Sequence, residues 1–304
     1  MIKNKPLIYV SSVYLITGLY SLLYLKIPYS TSNFISVMVT SFYMFIPFLC
    51  SIFLSKFVYK ESVKANINLY FKWTPWYIAA ILIPLILAYL SFIIALLIPG
   101  VSVDPEMSDL MNRFSKTLNE IQLQKAKEQS EYMKRIFKTE YYYFIIGFIN
   151  AVIFGSSVNA IFGFGEEAGW RGFLLNALKE KGFYKASLIT GTIWGVWHLP
   201  LVIQGHNYGK YHIAGIFMMT IWTILLSPLF TYIVHKTGSV IAAAIMHGVL
   251  NASPGISIVY LKGGNEITTG ITGISGMIAL IIINLLIFIY DKYFDENKVI
   301  NKTI

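Results

Sequence analysis

Trp76–Ile98 reads WYIAAILIPLILAYLSFIIALLI, an apolar run without Asp, Glu, Lys or Arg, and its reading decides the fold. A helix of about 20 apolar residues is long enough to cross the hydrocarbon core of a bilayer. Backbone amides and carbonyls find no partner in lipid, so such a run must satisfy them internally, as a helix. The same reading extends outward in both directions. Leu7–Leu25 and Phe34–Ser55 precede it, and Tyr141–Gly165, Ala186–Gln204, Tyr211–Val234, Thr237–Leu261 and Ile267–Tyr290 follow, all free of formal charge. The prediction is an all-α, polytopic transmembrane bundle of about eight spans enclosing a polar pocket. Composition agrees: 56% of the 304 residues are hydrophobic and 13% are charged, about half the charged share of a soluble domain.

A net charge of +9 suggests nucleic acid at first sight, but its placement argues for a lipid partner and against nucleic acid. If the N-terminus is cytoplasmic, the short segments on that side collect 13 basic residues: Lys3, Lys5, Lys56, Lys60, Lys64, Lys72, Lys179, Lys181, Lys185, Lys236, Lys292, Lys298 and Lys302. The three short opposite loops hold only Lys26, Lys210 and Lys262. This is the positive-inside pattern, which predicts a multi-pass protein with both termini in the cytoplasm. The first apolar run follows Lys3 and Lys5 but is long for a leader and lacks a small-x-small cleavage site, so it is expected to be retained. Cys50, the single cysteine, lies inside a span and is expected to be a packing residue, which removes any intrachain disulfide or thiolate metal site.

The chain divides into four parts. Residues 1–98 read as three plain transmembrane helices without buried charge. Residues 99–140 form a polar insert in which Asp104, Glu106, Asp109, Glu120, Glu128, Glu131 and Glu140 balance seven bases. Asp104-Pro105-Glu106 suits a helix start, and Leu110, Phe114, Leu118 and Ile121 give an apolar stripe. That pattern predicts a solvated helical hairpin against the membrane; a substrate-gating lid is the sharper alternative. Residues 141–261 carry Glu166, Glu167, Arg171, His198, His247 and Asn251 within apolar surroundings. Ionisable groups at bilayer depth cost a few kcal/mol each and mark function. Residues 262–304 hold the last span and a tail.

Three motifs stand out in the third part. In Gly165-Glu166-Glu167-Ala168-Gly169-Trp170-Arg171, two adjacent carboxylates open the segment and Arg171 lies four residues after Glu167 on one helical face. Arginine can hold one carboxylate ionised while the other is driven toward general-base duty. Acids at an ordinary helix start would look similar. In Trp194-Gly195-Val196-Trp197-His198-Leu199-Pro200, the indole sits one turn before the imidazole, and Pro200 should bend the helix and open room. In His247-Gly248-Val249-Leu250-Asn251, both polar groups share one face and can donate toward a developing oxyanion. Interhelical hydrogen bonding alone would explain each histidine motif singly.

Glu-Glu-x-x-x-Arg, aromatic-x-x-x-His and His-x-x-x-Asn, in this order on separate helices, resemble the CAAX protease and bacteriocin-processing (CPBP) family of integral-membrane endopeptidases. The resemblance covers roughly residues 150–255. It implies that Glu166 and His198 activate the attacking water, that Glu167 and Arg171 orient and balance the site, and that His247 and Asn251 hold the carbonyl oxygen. Trp194 stands where phenylalanine is usual. The implied substrate is a peptide or lipidated protein at the membrane, with a prenylated CAAX C-terminus as one candidate. No cofactor is preferred, although zinc on Glu166, His198 and His247 is the metal alternative. The pocket is expected to face the cytoplasm.

Other readings are weaker. Gly273-Ile274-Ser275-Gly276 matches a rhomboid serine motif, but no histidine follows His247. Tyr290-Asp291 lacks the partner Gly-x-Gly-Asp of aspartyl intramembrane proteases. His206, His212 and His235 are expected at the membrane interface. A proton-coupled transporter using Glu166, Glu167, His198 and His247 should show paired repeats, and residues 1–98 hold no counterpart to the charged half. A non-catalytic scaffold or immunity protein should tolerate Glu166→Gln.

Overall fold

The computed structural model describes residues 4–24, 26, 34–115 and 120–300. The chain is a helical membrane bundle. Among the described residues, five helices are long and apolar enough to cross a bilayer: Met38–Tyr59, Trp76–Ala95, Tyr142–Ala177, Gly209–Thr237 and Ile274–Tyr293. Lys5–Tyr24 is helical too but does not reach the same measure.

Three of the expected spans differ in extent. The fourth does not stop at Gly165 but continues to Ala177, because the charges of Glu166, Glu167 and Arg171 are compensated inside the bundle. The fifth breaks at His198 into Phe183–Trp197 and Leu199–Ile203, since Pro200 cannot donate to the helical ladder. The seventh reaches only Val240–Ala252, and Ser253-Pro254-Gly255 turns the chain out of it.

The helices pack with small residues at their closest approaches, as expected where lipid supplies no hydrophobic drive between them. Gly248 is the tightest point. A Cβ there would lie 2.1 Å from the Gly155 carbonyl oxygen and 2.4 Å from the Ala160 nitrogen. The N-terminal helices are tied to Phe183–Trp197 through hydrogen bonds: Tyr14 Oη donates to the Ile193 carbonyl at 2.8 Å, Tyr43 Oη to the Trp197 carbonyl at 2.7 Å, and Trp197 Nε1 to Thr17 Oγ1 at 2.8 Å.

The bundle has two distinct ends. At one, Lys5 Nζ donates to Glu61 at 2.5 Å, the Val240 amide meets the Asn68 carbonyl at 3.1 Å, and Lys236 pairs with Asp295. Asp291, buried at the same end, accepts from the Val299 and Ile300 amides. At the other end, Ser102–Val103 pairs antiparallel with Leu261–Lys262. The Asp104 amide donates to the Tyr260 carbonyl at 2.9 Å and the Gly263 amide to Asp109 Oδ2 at 2.9 Å. The insert is therefore fastened to the second end. Its helices are Ser108–Ser115 and Glu120–Phe137, with Leu110, Met133 and Phe137 packed against Phe92, Tyr142 and Tyr260. The first begins at Ser108, not at the Asp104-Pro105-Glu106 start: Asp104 Oδ2 accepts from Ser108 Oγ at 2.7 Å and the Asp109 amide at 3.1 Å. The side chains of Phe114, Leu118 and Ile121 lie outside the described residues.

Gly248→Ala should lower the thermal midpoint of the detergent-purified protein, at a cost of about 1–3 kcal/mol for overpacking, and Gly248→Val should not yield folded protein. An unchanged midpoint for Gly248→Ala would contradict the backbone contact with Gly155.

Candidate active site

The charged segment sits in the middle of the Tyr142–Ala177 rod, so Glu166 and Glu167 do not open a helix. The rod loosens into wider π-type turns at Ala151–Asn159 and Ala168–Leu174, the latter directly after the two acids. Such local widening re-aims side chains and is frequent at functional sites. Gly163 lets the Val240–Ala252 helix approach: a Cβ there would lie 2.9 Å from both the Ala244 carbonyl oxygen and His247 Cβ. This approach brings His247 Nδ1 to 2.8 Å from Glu167 Oε1.

Arg171 and Glu167 are fully buried. Arg171 Nη1 lies 3.2 Å from Glu167 Oε2 and 3.3 Å from Oε1, which is the i,i+4 pair that the spacing implied. The guanidinium is flanked by rings, its carbon 4.2 Å from the Trp194 centroid and 4.6 Å from that of Phe230. Nε and Nη2 have no hydrogen-bond partner among the described residues; the ring faces supply cation–π stabilisation in their place. A buried charge left without such partners would cost many kcal/mol.

Trp194 connects the two acidic and imidazole halves. Its Nε1 donates to Glu166 Oε2 at 2.6 Å, and its carbonyl meets His198 Nδ1 at 2.8 Å. A carbonyl only accepts, so Nδ1 carries a proton, and in the neutral ring Nε2 keeps its lone pair. The indole also packs edge-on to His198, with centroids 5.7 Å apart, and lies 5.8 Å from His247. At this position phenylalanine would supply the ring contact but not the hydrogen bond. The departure from the family pattern thus changes how Glu166 is held.

Glu166, His198, His247 and Asn251 line one cavity of about 340 Å³. Glu166 Oε1 faces His247 Nε2 across 4.0 Å, a gap that fits a bridging water. No hydrogen bond joins the Glu166 and His198 side chains among the described residues. Glu167 and Arg171 do not line the cavity; they stand behind it. Sequence reasoning missed several wall residues: Thr40 and Met44 from the second helix, Trp222, His206, Asn265 and Glu266. No local pattern marks them: helix packing brings in Thr40, Met44 and Trp222, and loop closure brings in His206, Asn265 and Glu266. His206, expected at the membrane interface, lines the cavity, and burial pushes its imidazole down to about 4, so it is neutral at pH 7. Ser275 of the rhomboid-like motif bonds Ser91 and the Gly270 carbonyl, with no histidine beside it. Cys50 is buried and free.

Among the described residues, no group of three or more His, Cys, Asp or Glu side chains is placed to hold a metal ion. The Nδ1 atoms of His198 and His247 face the Trp194 carbonyl and Glu167. The cavity wall includes residues of the 206–207 and 254–272 stretches, at the end that carries the insert and opposite the lysine-rich end.

Residues 148–253 match the family described as type II CAAX prenyl endopeptidase Rce1-like. The chain is also 29% identical over 137 residues to a CAAX prenyl protease 2 from Methanococcus maripaludis, across 42% of this chain and 46% of that protein. The match thus spans less than half of that relative's length. The segment matching that family contains Glu166, Glu167, Arg171, Trp194, His198, His247 and Asn251.

Trp194→Phe tests the geometry. Loss of one hydrogen bond to a charged acceptor costs about 1.5–3 kcal/mol, so the thermal midpoint should fall measurably while the aromatic packing is kept. A midpoint equal to wild type would show that the indole does not hold Glu166.

Proposed function

We propose that the protein is an intramembrane endopeptidase that hydrolyses a peptide bond in a membrane-associated substrate, without a metal. The observation that carries this reading is the convergence of Glu166, His198, His247 and Asn251 on one cavity within the bundle. Glu166 takes a proton from a water held near Oε1, and His198, with a free Nε2, assists. The water oxygen bonds to the carbonyl carbon, the C–N bond then breaks, and the proton passes from Glu166 to the leaving amine. Asn251 Nδ2 and His247 Nε2 donate to the carbonyl oxygen as it gains charge. Glu167 holds the His247 ring through Nδ1, and Arg171 pairs with Glu167 behind it.

The relative's name includes prenyl-CAAX processing, and a lipidated C-terminus is one substrate candidate for this chain. The 13-to-3 lysine distribution favours cytoplasmic termini. With that orientation the cavity admits its substrate from the opposite side of the membrane, which suits an exported peptide.

In a cleavage assay on membrane peptides, Glu166→Gln and His198→Ala should each lose about 10²–10⁴ in kcat, and Asn251→Ala about 10²–10³, with folded protein in each case and no effect of chelator. Equal turnover in wild type and Glu166→Gln would sink the assignment, and chelator loss restored by zinc would overturn the metal-free step. Orientation is read separately, in a Cys50→Ser background. An impermeant maleimide applied to intact cells should label Lys262→Cys and spare Lys72→Cys; the reverse pattern would place the cavity mouth in the cytoplasm.

A further inference from the structure

The cavity that holds the reacting groups has a second acid at its rim. Glu266 lines the same wall as Glu166, His198 and His247. It is half-buried, and among the described residues no ion pair or hydrogen bond engages its carboxylate. The turn that carries it is rigid. Asn265 Oδ1 accepts from the Ile267 amide at 2.9 Å and the Thr268 amide at 3.2 Å, and the Asn265 carbonyl accepts from Thr269 Oγ1 at 3.0 Å. The Ile274 and Ser275 amides close the loop back onto Ile267 and Thr268. The facing loop leaves space: a Cβ added at Gly209 would meet Glu266 Oε1 at 3.9 Å and nothing nearer.

Among the described residues, lysine and arginine are absent from this wall, and Lys210, the nearest base in sequence to Gly209, lies over the Tyr211 ring. The remaining ionisable wall groups are Glu166 and the imidazoles of His198, His206 and His247. A peptide carboxylate beside Glu266 would meet a fixed anion and, among the described lining residues, no lysine or arginine. A cationic nitrogen would meet a preorganised, unpaired carboxylate in a partly desolvated mouth, where opposite charges attract more strongly than in water.

We propose that Glu266 is a specificity-determining residue that selects peptide substrates with a cationic nitrogen, a Lys or Arg side chain or a free amino terminus, close to the scissile bond. This rests on the endopeptidase reading above. It narrows that reading to positively charged peptides, cut away from any free carboxyl end.

The test uses the full-length protein in detergent and internally quenched, N-acetylated apolar peptides that differ at one scanned position: Lys, norleucine or Glu. Wild type should prefer the Lys peptide over its norleucine twin by about tenfold in kcat/KM, with the difference in KM. Glu266→Gln should bring that ratio near one, and Glu266→Lys should turn the preference toward the Glu peptide. An unacetylated norleucine peptide separates an amino terminus from a side chain as the source of charge. No Lys preference at any position, or a preference that survives Glu266→Gln, overturns the proposal while leaving the protease reading intact. A Glu166→Gln control that cuts as fast as wild type overturns the protease reading instead. If wild type cuts none of the peptides, fluorescence anisotropy decides: tighter binding of the Lys peptide by wild type alone supports selection by Glu266, and equal affinities reject it.

Discussion

Lipid does not tolerate an isolated charge, and the bundle is organised around one guanidinium that cannot lose its proton. Arg171 has no access to solvent. It is kept by a carboxylate on its own helix and by two aromatic faces from neighbouring helices. The Glu167 carboxylate in turn engages His247 from a helix 80 residues further on. Charge compensation therefore dictates which helices meet, and the small residues Gly163 and Gly248 allow them to meet closely enough.

This arrangement separates support from reactivity. Glu167 and Arg171 are consumed by each other and by His247, leaving Glu166 as the acid that reaches the cavity. Its orientation comes from Trp194, which also anchors His198 through its backbone. A single residue thereby sets the positions of an acid and an imidazole that lie on different helices. The break at His198 matters for the same reason. With the ladder interrupted before Pro200, the imidazole ends one helix and faces the cavity instead of packing along its side.

The membrane-bundle class was legible in the sequence because absence of charge is a local property, visible without any partner. The extent of the spans was less so. Gly165 looked like an end because acids follow it, yet Glu167 is paired with Arg171 and bonded to His247, and nothing in residues 160–175 announces the His247 contact. The spacing Glu167–Arg171 gave the ion pair, and His247–Asn251 gave the shared face. The spacing Trp194–His198 gave the ring contact, whereas the bond from Trp194 to Glu166 joins residues 28 positions apart and left no local signal. His206 and Glu266 left no signal at all, because loops that close over a cavity do so through turns such as the one at Asn265.

The Tyr142–Ala177 rod, 36 residues long, has a consequence for the surrounding bilayer. At no more than 1.5 Å of rise per residue, and less in its π-type turns, it measures up to about 54 Å, against a hydrocarbon thickness of about 30 Å. A rod longer than the slab tilts, bends or overhangs it, or the adjoining lipids thicken to follow it. Acyl-chain length thereby becomes a mechanical input to the depth of Glu166.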